Sequence, residues 1–315
     1  MDILLILSGL VTLFLGGESL IKGSIYIAKN LKISNLLVSA VVIGFGTSMP
    51  EMTVSVNAMI KGSPDIAIGN VVGSNIANIL FIIGICAVIR PITIEAKSIR
   101  KDVWVMMAAT IILFILGFAL KIDFLSGLFM LAILITYITY SYLSDKKSLT
   151  KKDIKNIEQD LSVTKTPNIY FSIVIAFLGI LLLVLGSSLF LNGAISLAQK
   201  FNISESVIGL GMVAVGSCLP ELSTALIAAI RKHSNIVISS IIGSNIFNIL
   251  SISAVISLID DVYLPKQMAN FDLSLLLLLT LIFSFILLKN ITFNRIIGSV
   301  FLASYVVYFY ALFTN

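Results

Sequence analysis

The chain has 315 residues, 58% of them hydrophobic and 12% charged, with a mean hydropathy of +1.08 and a formal net charge of +5. These values exclude an ordinary soluble domain and put the chain in a bilayer. The excess of positive charge lies in the connections, where topology accounts for it without nucleic acid or another anionic partner.

Ten apolar runs reach spanning length, near residues 3–27, 36–60, 66–89, 103–120, 124–143, 169–191, 206–230, 236–259, 271–288 and 296–313. They are continuously apolar rather than alternating, so the expected fold is an all-α integral membrane protein with ten transmembrane helices. The first run lacks a basic leader and a small-residue cleavage site and reads as a retained helix. Residues 144–168, "SDKKSLTKKDIKNIEQDLSVTKTPN", form the one long polar stretch and read as a cytoplasmic linker with a short amphipathic helix. If successive connections alternate sides, 16 of the 21 Lys and Arg residues fall on one side and 4 on the other, with Lys22 inside the first run. The richer side is then cytoplasmic and both termini face outward, in a multi-pass protein of the cell membrane.

Cys86 and Cys218 both fall inside spans, where packing explains them better than a disulfide does. His233, the single histidine, sits beside Arg231 and Lys232 in a connection and reads as a solvated loop residue. No enzyme signature is present: a two-histidine zinc motif is impossible with one histidine, and neither Gly-x-Gly-Asp nor Gly-x-Ser-Gly occurs within a span. No resident cofactor and no obligate protein partner are called for.

The two halves align without a gap at an offset of 170: Gly16 with Gly186, Gly23 with Gly193, Gly46 with Gly216, Pro50-Glu51 with Pro220-Glu221, Gly73 with Gly243. Seven of eight positions from Gly73 to Leu80 repeat identically in Gly243 to Leu250. This is an internal duplication, with a first five-helix repeat over 1–143 (its α-repeat about 36–90) and a second over 169–315 (its α-repeat about 206–260). Five is odd, so the repeats are inverted, an architecture of secondary transporters.

Each half carries one glutamate at mid-span, in "GFGTSMPEMTVS" (44–55) and "AVGSCLPELSTA" (214–225). A lone carboxylate there costs at least about 2.5–3.5 kcal/mol, so Glu51 and Glu221 are expected to face a polar cavity; Glu18 is the natural partner of Lys22. Pro50 and Pro220 remove the amides that would bond the carbonyls of Gly46 and Gly216, leaving two bare oxygens for an ion. Helical spacing puts Thr47 and Ser48 on the face of Glu51 and Ser74 on that of Asn78, with twins Ser217 and Glu221, Ser244 and Asn248. Carboxylates, amides, hydroxyls and carbonyls without imidazole suit Ca²⁺ or Na⁺. Asn75 and Asn245 lie off that face and are expected to hydrogen-bond backbone.

With these residues assembled, the chain resembles the cation/calcium antiporter superfamily and, within it, the sodium/calcium exchangers. The paired "GTSMPE" and "GSCLPE" with "GSNIANIL" and "GSNIFNIL" carry the resemblance, which covers nearly the whole chain. It implies an antiporter exchanging Na⁺ for Ca²⁺ at a midplane site, with ion contacts from Thr47, Ser48, Glu51, Ser74, Asn78, Ser217, Glu221, Ser244 and Asn248 and backbone oxygens near Gly44 and Ala214. It also implies that the first and sixth helices slide at Gly16, Gly17, Gly23, Gly186 and Gly193. Cys218 departs from the pattern, standing where the twin supplies the Ser48 hydroxyl. The acidic residue of potassium-dependent relatives is replaced by Asn248, which disfavours potassium co-transport. Protons are expected to compete with the cations at low pH. A Ca²⁺/H⁺ antiporter on the same fold is the alternative, and a cation channel is disfavoured by the missing continuous polar face.

Overall fold

The computed structural model describes residues 2–148, 167–200, 214–266 and 268–314. Most of the 144–168 linker and the first part of the seventh span lie outside them. Apart from short loop pairings the fold is helical, as continuous apolar runs in a medium without water require. Among the described residues seven helices are long and apolar enough to cross a bilayer, or eight with the bent pair Asn35–Thr47 and Met49–Ile60; Leu219–Ile230 and Arg295–Ala311 are shorter apolar helices.

In chain order the first half comprises α1 (Asp2–Leu31), α2 (Asn35–Val38), α3 (Gly44–Thr47), α4 (Met49–Ile60), α5 (Pro64–Ala77), α6 (Ile83–Ile89), α7 (Ala96–Phe118) and α8 (Phe124–Ser148). The second comprises α9 (Ile169–Lys200), α10 (Ala214–Ser217), α11 (Leu219–Ile230), α12 (Ser234–Phe247), α13 (Ser253–Ile259), α14 (Leu273–Leu288) and α15 (Arg295–Thr314). Wider π-turns join α2 to α3 (Ser39–Ile43), α5 to α6 (Asn78–Ile82) and α12 to α13 (Asn248–Ile252), and another precedes α14 (Met268–Asp272). The offset of 170 recurs in the elements: α4 over α11, α5 over α12 and α6 over α13, π-turns included. It recurs even in left-handed turn residues, Gly62 with Lys232 and Leu120 with Asn290.

The expected continuous second span is broken. Pro50 sits in the first turn of α4, where its missing amide costs nothing, and the backbone turns at Ser48 (φ −81, ψ 4) to give a 42° bend. Cys218 repeats this turn (φ −83, ψ 2) before α11.

Two antiparallel loop pairings were not legible in the apolar pattern: β1 (Lys121–Ile122) with β2 (Val262–Tyr263), and Ile92 bridged to Phe293. Lys121 and Asp261 add an ion pair of 2.8 Å beside the first.

The helices α1 and α9 pack antiparallel along their length. A Cβ on Gly9 would lie 2.6 Å from the Phe190 nitrogen, one on Gly16 2.8 Å from the Leu183 nitrogen, and one on Gly23 2.5 Å from the Ala176 nitrogen. Backbones this close require glycine. The pair is also tied at each end: Lys200 and Ser196 hold Asp2, and Asn30 Nδ2 donates to Pro167 O (2.9 Å) and Ser172 Oγ (3.1 Å). Around this pair the core is apolar, and Cys86 and Cys218 are buried free thiols in it.

Candidate functional site

The four segments that carry the duplicated polar residues meet at the centre of the molecule. Helices α3 and α12 cross in backbone contact: a Cβ on Gly44 would lie 2.8 Å from the Gly243 carbonyl carbon, and one on Gly243 only 2.0 Å from Ala40 O. Around that crossing Thr47, Ser48, Glu51, Ser74, Asn78, Ser217, Glu221, Ser244 and Asn248 are all buried, Ser217 being the most exposed at 6%. Cys218 is buried among them, and Gly44 is buried at the crossing. Ala214 begins α10.

The halves interleave rather than stand side by side. Ser48 Oγ donates to Glu221 Oε1 (3.3 Å), and Thr47 Oγ1 lies 3.3 Å from Ser244 Oγ. Ser244 Oγ in turn donates to Gly44 O (3.2 Å). Asn78 Nδ2 donates to Asn245 Oδ1 (2.9 Å). Ser217 Oγ lies 3.9 Å from Cys218 Sγ at the second break. The helical-face reading therefore needs correcting: the break at Ser48 takes Thr47 and Ser48 off the helix of Glu51, the Ser48 hydroxyl serves the other half, and Thr47 Oγ1 donates to Ile43 O (3.0 Å) in its own half. Within α5 the spacing holds, and the Asn78 amide bonds Ser74 O.

The bare-carbonyl reading needs correcting at Gly216. Ser187 Oγ, on α9, donates to Gly216 O (2.8 Å), so the oxygen that Pro220 frees already has a partner. The Gly44 carbonyl accepts from Ser244 Oγ, from Thr47 Oγ1 (3.3 Å) and from the Ser48 amide (3.2 Å). Asn75 Nδ2 bonds backbone as expected, at Val71 O (2.7 Å), but Asn245 serves Asn78 instead.

What remains is a set of oxygens. Both oxygens of Glu51, Oε2 of Glu221, Oδ1 of Asn78 and Oδ1 of Asn248 are buried without a hydrogen-bond partner, as is the Asn248 Nδ2 donor. Each such group costs about 1–3 kcal/mol, and an ionised one more, if nothing satisfies it. Among the described residues no group of three or more His, Cys, Asp or Glu side chains clusters, so the site is two carboxylates among neutral oxygens. That donor set is hard and suits Na⁺ and Ca²⁺.

Several participants escaped the sequence reading. A cleft beside Thr47, Glu221 and Ser244 is also lined by Thr224 and Ser240. Thr224 lies three residues after Glu221 and Ser240 four before Ser244, so helical spacing could have found both. Asn70 Nδ2 donates to Glu51 O (3.0 Å) and Ser55 Oγ (2.9 Å), bracing the glutamate's own backbone. Glu18 pairs with Lys22 (3.3 Å) as expected, but Arg231 also reaches it through Nε (2.8 Å) and Nη2 (2.5 Å), a contact between α1 and the end of α11 that no local pattern announces.

The family model described as sodium/calcium exchanger protein matches residues 1–143 and 171–314. The putative antiporter CaxA of Alkalimonas amylolytica is 31% identical over 98% of this chain and 98% of its own. The sodium/calcium exchanger MaX1 of Methanosarcina acetivorans is 28% identical over 99% and 98%. Among solved structures, the sodium-calcium exchanger NCX_Mj soaked with 10 mM Na⁺ and zero Ca²⁺ superposes with a TM-score of 0.82 at 30% identity, covering 97% of each chain. Likeness in sequence and in fold over both halves that build the site makes the chain a member of the sodium/calcium exchanger protein family.

Proposed function

We propose that the chain exchanges Na⁺ for Ca²⁺ across a membrane by alternating access at the interleaved site, with Thr47, Ser48, Glu51, Ser74, Asn78, Ser217, Glu221, Ser244 and Asn248 as the ion contacts. The observation that carries this reading is the set of buried, unbonded oxygens on Glu51, Glu221, Asn78 and Asn248. Two glutamates match one Ca²⁺ or a set of Na⁺ ions. An empty site would carry two uncompensated carboxylates past apolar walls, so only loaded forms change face, and transport is obligate exchange.

The ten spans form two inverted five-helix repeats, with both termini outside and the linker in the cytoplasm. The loop pairings support this parity: Lys121–Ile122 with Val262–Tyr263 joins two connections assigned outside, and Ile92 with Phe293 joins two assigned inside. The glycine-lined pair α1 and α9, tied at both ends, is suited to move as one body over the site. Ala214 opens the short helix before the second break and Cys218 stands at the break itself, where a thiol in place of the Ser48 hydroxyl gives a weaker Na⁺ contact.

The test is radioactive Ca²⁺ uptake by proteoliposomes loaded with Na⁺ and diluted into choline at constant pH. Uptake that needs internal Na⁺ and disappears in Glu51→Gln and Glu221→Gln supports the proposal. Uptake indifferent to Na⁺ and driven by an acid interior would replace it with proton coupling.

A further inference from the structure

Asn75 and Asn245 stand three residues before Asn78 and Asn248 and take no direct part in the site as proposed. Their hydrogen bonds give them a different task. Asn78 Nδ2 is committed to Asn245 Oδ1 at 2.9 Å, across the boundary between the halves. A carboxamide has one donor end and one acceptor end, so fixing the nitrogen fixes the direction of the oxygen. That oxygen, Asn78 Oδ1, is buried and unbonded. Asn245 presents Oδ1 to Asn78 and its Nδ2 to Met106 Sδ at 4.0 Å, a weak acceptor, so its stronger bond is the one to Asn78.

The offset of 170 makes Asn248 with Asn75 the image of this pair, and there the bond is not made. Asn75 Nδ2 is spent on Val71 O (2.7 Å), which leaves its Oδ1 buried and unbonded, and Asn248 Nδ2 is also unbonded. The acceptor and the donor that the image bond needs are thus both uncommitted. Both ligand asparagines open a π-turn, where the regular ladder is locally relaxed.

We infer that Asn245 and Asn75 are positioning residues that aim the two ligand carboxamides, and that they act at different moments. Asn245 holds Asn78 aimed in advance. The Asn248 to Asn75 bond closes when a cation takes Asn248 Oδ1, since a cation on the oxygen polarises the amide and strengthens its N–H as a donor. One half of the site is therefore preformed and the other assembles on loading. This rests on the reading of Asn78 and Asn248 as ligands.

The test measures Na⁺-driven Ca²⁺ uptake in proteoliposomes for Asn245→Leu, alone and with Asn78→Ala. Asn245→Leu is expected to raise KM for Ca²⁺ about tenfold with a smaller change in kcat, the cost of losing one buried aiming bond. In the Asn78→Ala background it should add nothing. Asn245→Asp keeps an acceptor of the same size and should hold KM at or below the wild-type value; if Asn245→Leu does not fold, Asn245→Ser, too short to reach Nδ2, takes its place. Asn75→Leu should be silent in Asn248→Ala and additive to Asn78→Ala. Equal KM values for the Asp and Leu (or Ser) variants, or full additivity of Asn245→Leu with Asn78→Ala, would overturn the inference alone. An unchanged KM in Asn78→Ala and Asn248→Ala would instead overturn the assignment of these two as ligands, and the inference with it.

Discussion

Ser187 on α9 donates its hydroxyl to the carbonyl of Gly216 at 2.8 Å, the carbonyl that Pro220 deprives of its helical amide. A helix of the glycine-lined pair thus repairs the break beside Glu221. In the first half the corresponding position is Gly17, which has no hydroxyl to offer and packs against Ile227 and Thr224 of α11 instead. Ser187→Ala should lower unfolding stability by about 1–3 kcal/mol through an unsatisfied buried carbonyl. Thermal unfolding of the purified variant measures this, and an unchanged midpoint would mean the carbonyl finds another donor.

Arg231 and Glu18 form the other tie between the pair and α11. Arg231 is half exposed, so Arg231→Gln should cost about 1 kcal/mol or less in stability. Transport should register it more clearly. If the contact exists in one facing state only, its loss shifts the balance of the two states about fivefold, and the apparent Ca²⁺ affinities measured from the two membrane faces move in opposite directions. A parallel change from both faces would show that the pair is retained throughout the cycle.

Ser48 supplies a hydroxyl to Glu221, and at the image position Cys218 carries a thiol instead. Cys218→Ser should therefore lower the Na⁺ concentration for half-maximal exchange, by about threefold to tenfold if it restores one hard oxygen contact. Ser48→Cys should do the reverse. Na⁺ titration of Ca²⁺ uptake at fixed Ca²⁺ distinguishes this from a role for Cys218 in packing alone, which would leave the Na⁺ dependence where it is.

Gly243 allows the crossing of α3 and α12, and a methyl group there would lie 2.0 Å from Ala40 O. Gly243→Ala should abolish exchange, because the backbone must part by more than an ångström and carry Ser244 and Thr47 away from each other. Overpacking of this kind costs about 1–3 kcal/mol or more. A variant that folds and exchanges at the wild-type rate would contradict the close crossing.

The residues that could be named from sequence were those whose chemistry is improbable where they stand. Glu51 and Glu221 stand out against hydrocarbon, and Asn78 and Asn248 stand out through repetition. Spacing within a helix was reliable for Ser74 and Asn78 because α5 is unbroken between them. It failed for Ser48, since Pro50 tolerates a turn two residues earlier and the sequence does not say which way that turn sends the hydroxyl. The partners Ser187 with Gly216 and Arg231 with Glu18 are 29 and 213 residues apart, and only packed helices bring them together. The loop pairings at Lys121 and Ile92 are too short to leave a periodicity.

The interleaving has a consequence for how the gene could be divided. Glu221 leans on Ser48, Asn78 on Asn245, and α1 covers α9, so neither half possesses a whole site or a finished surface of its own. A cell making only residues 1–143 would hold an orphan with rows of bare glycine backbone turned to lipid. Supplied as two polypeptides divided in the linker, the halves should find each other in the membrane and recover exchange together, whereas either one produced alone should be degraded.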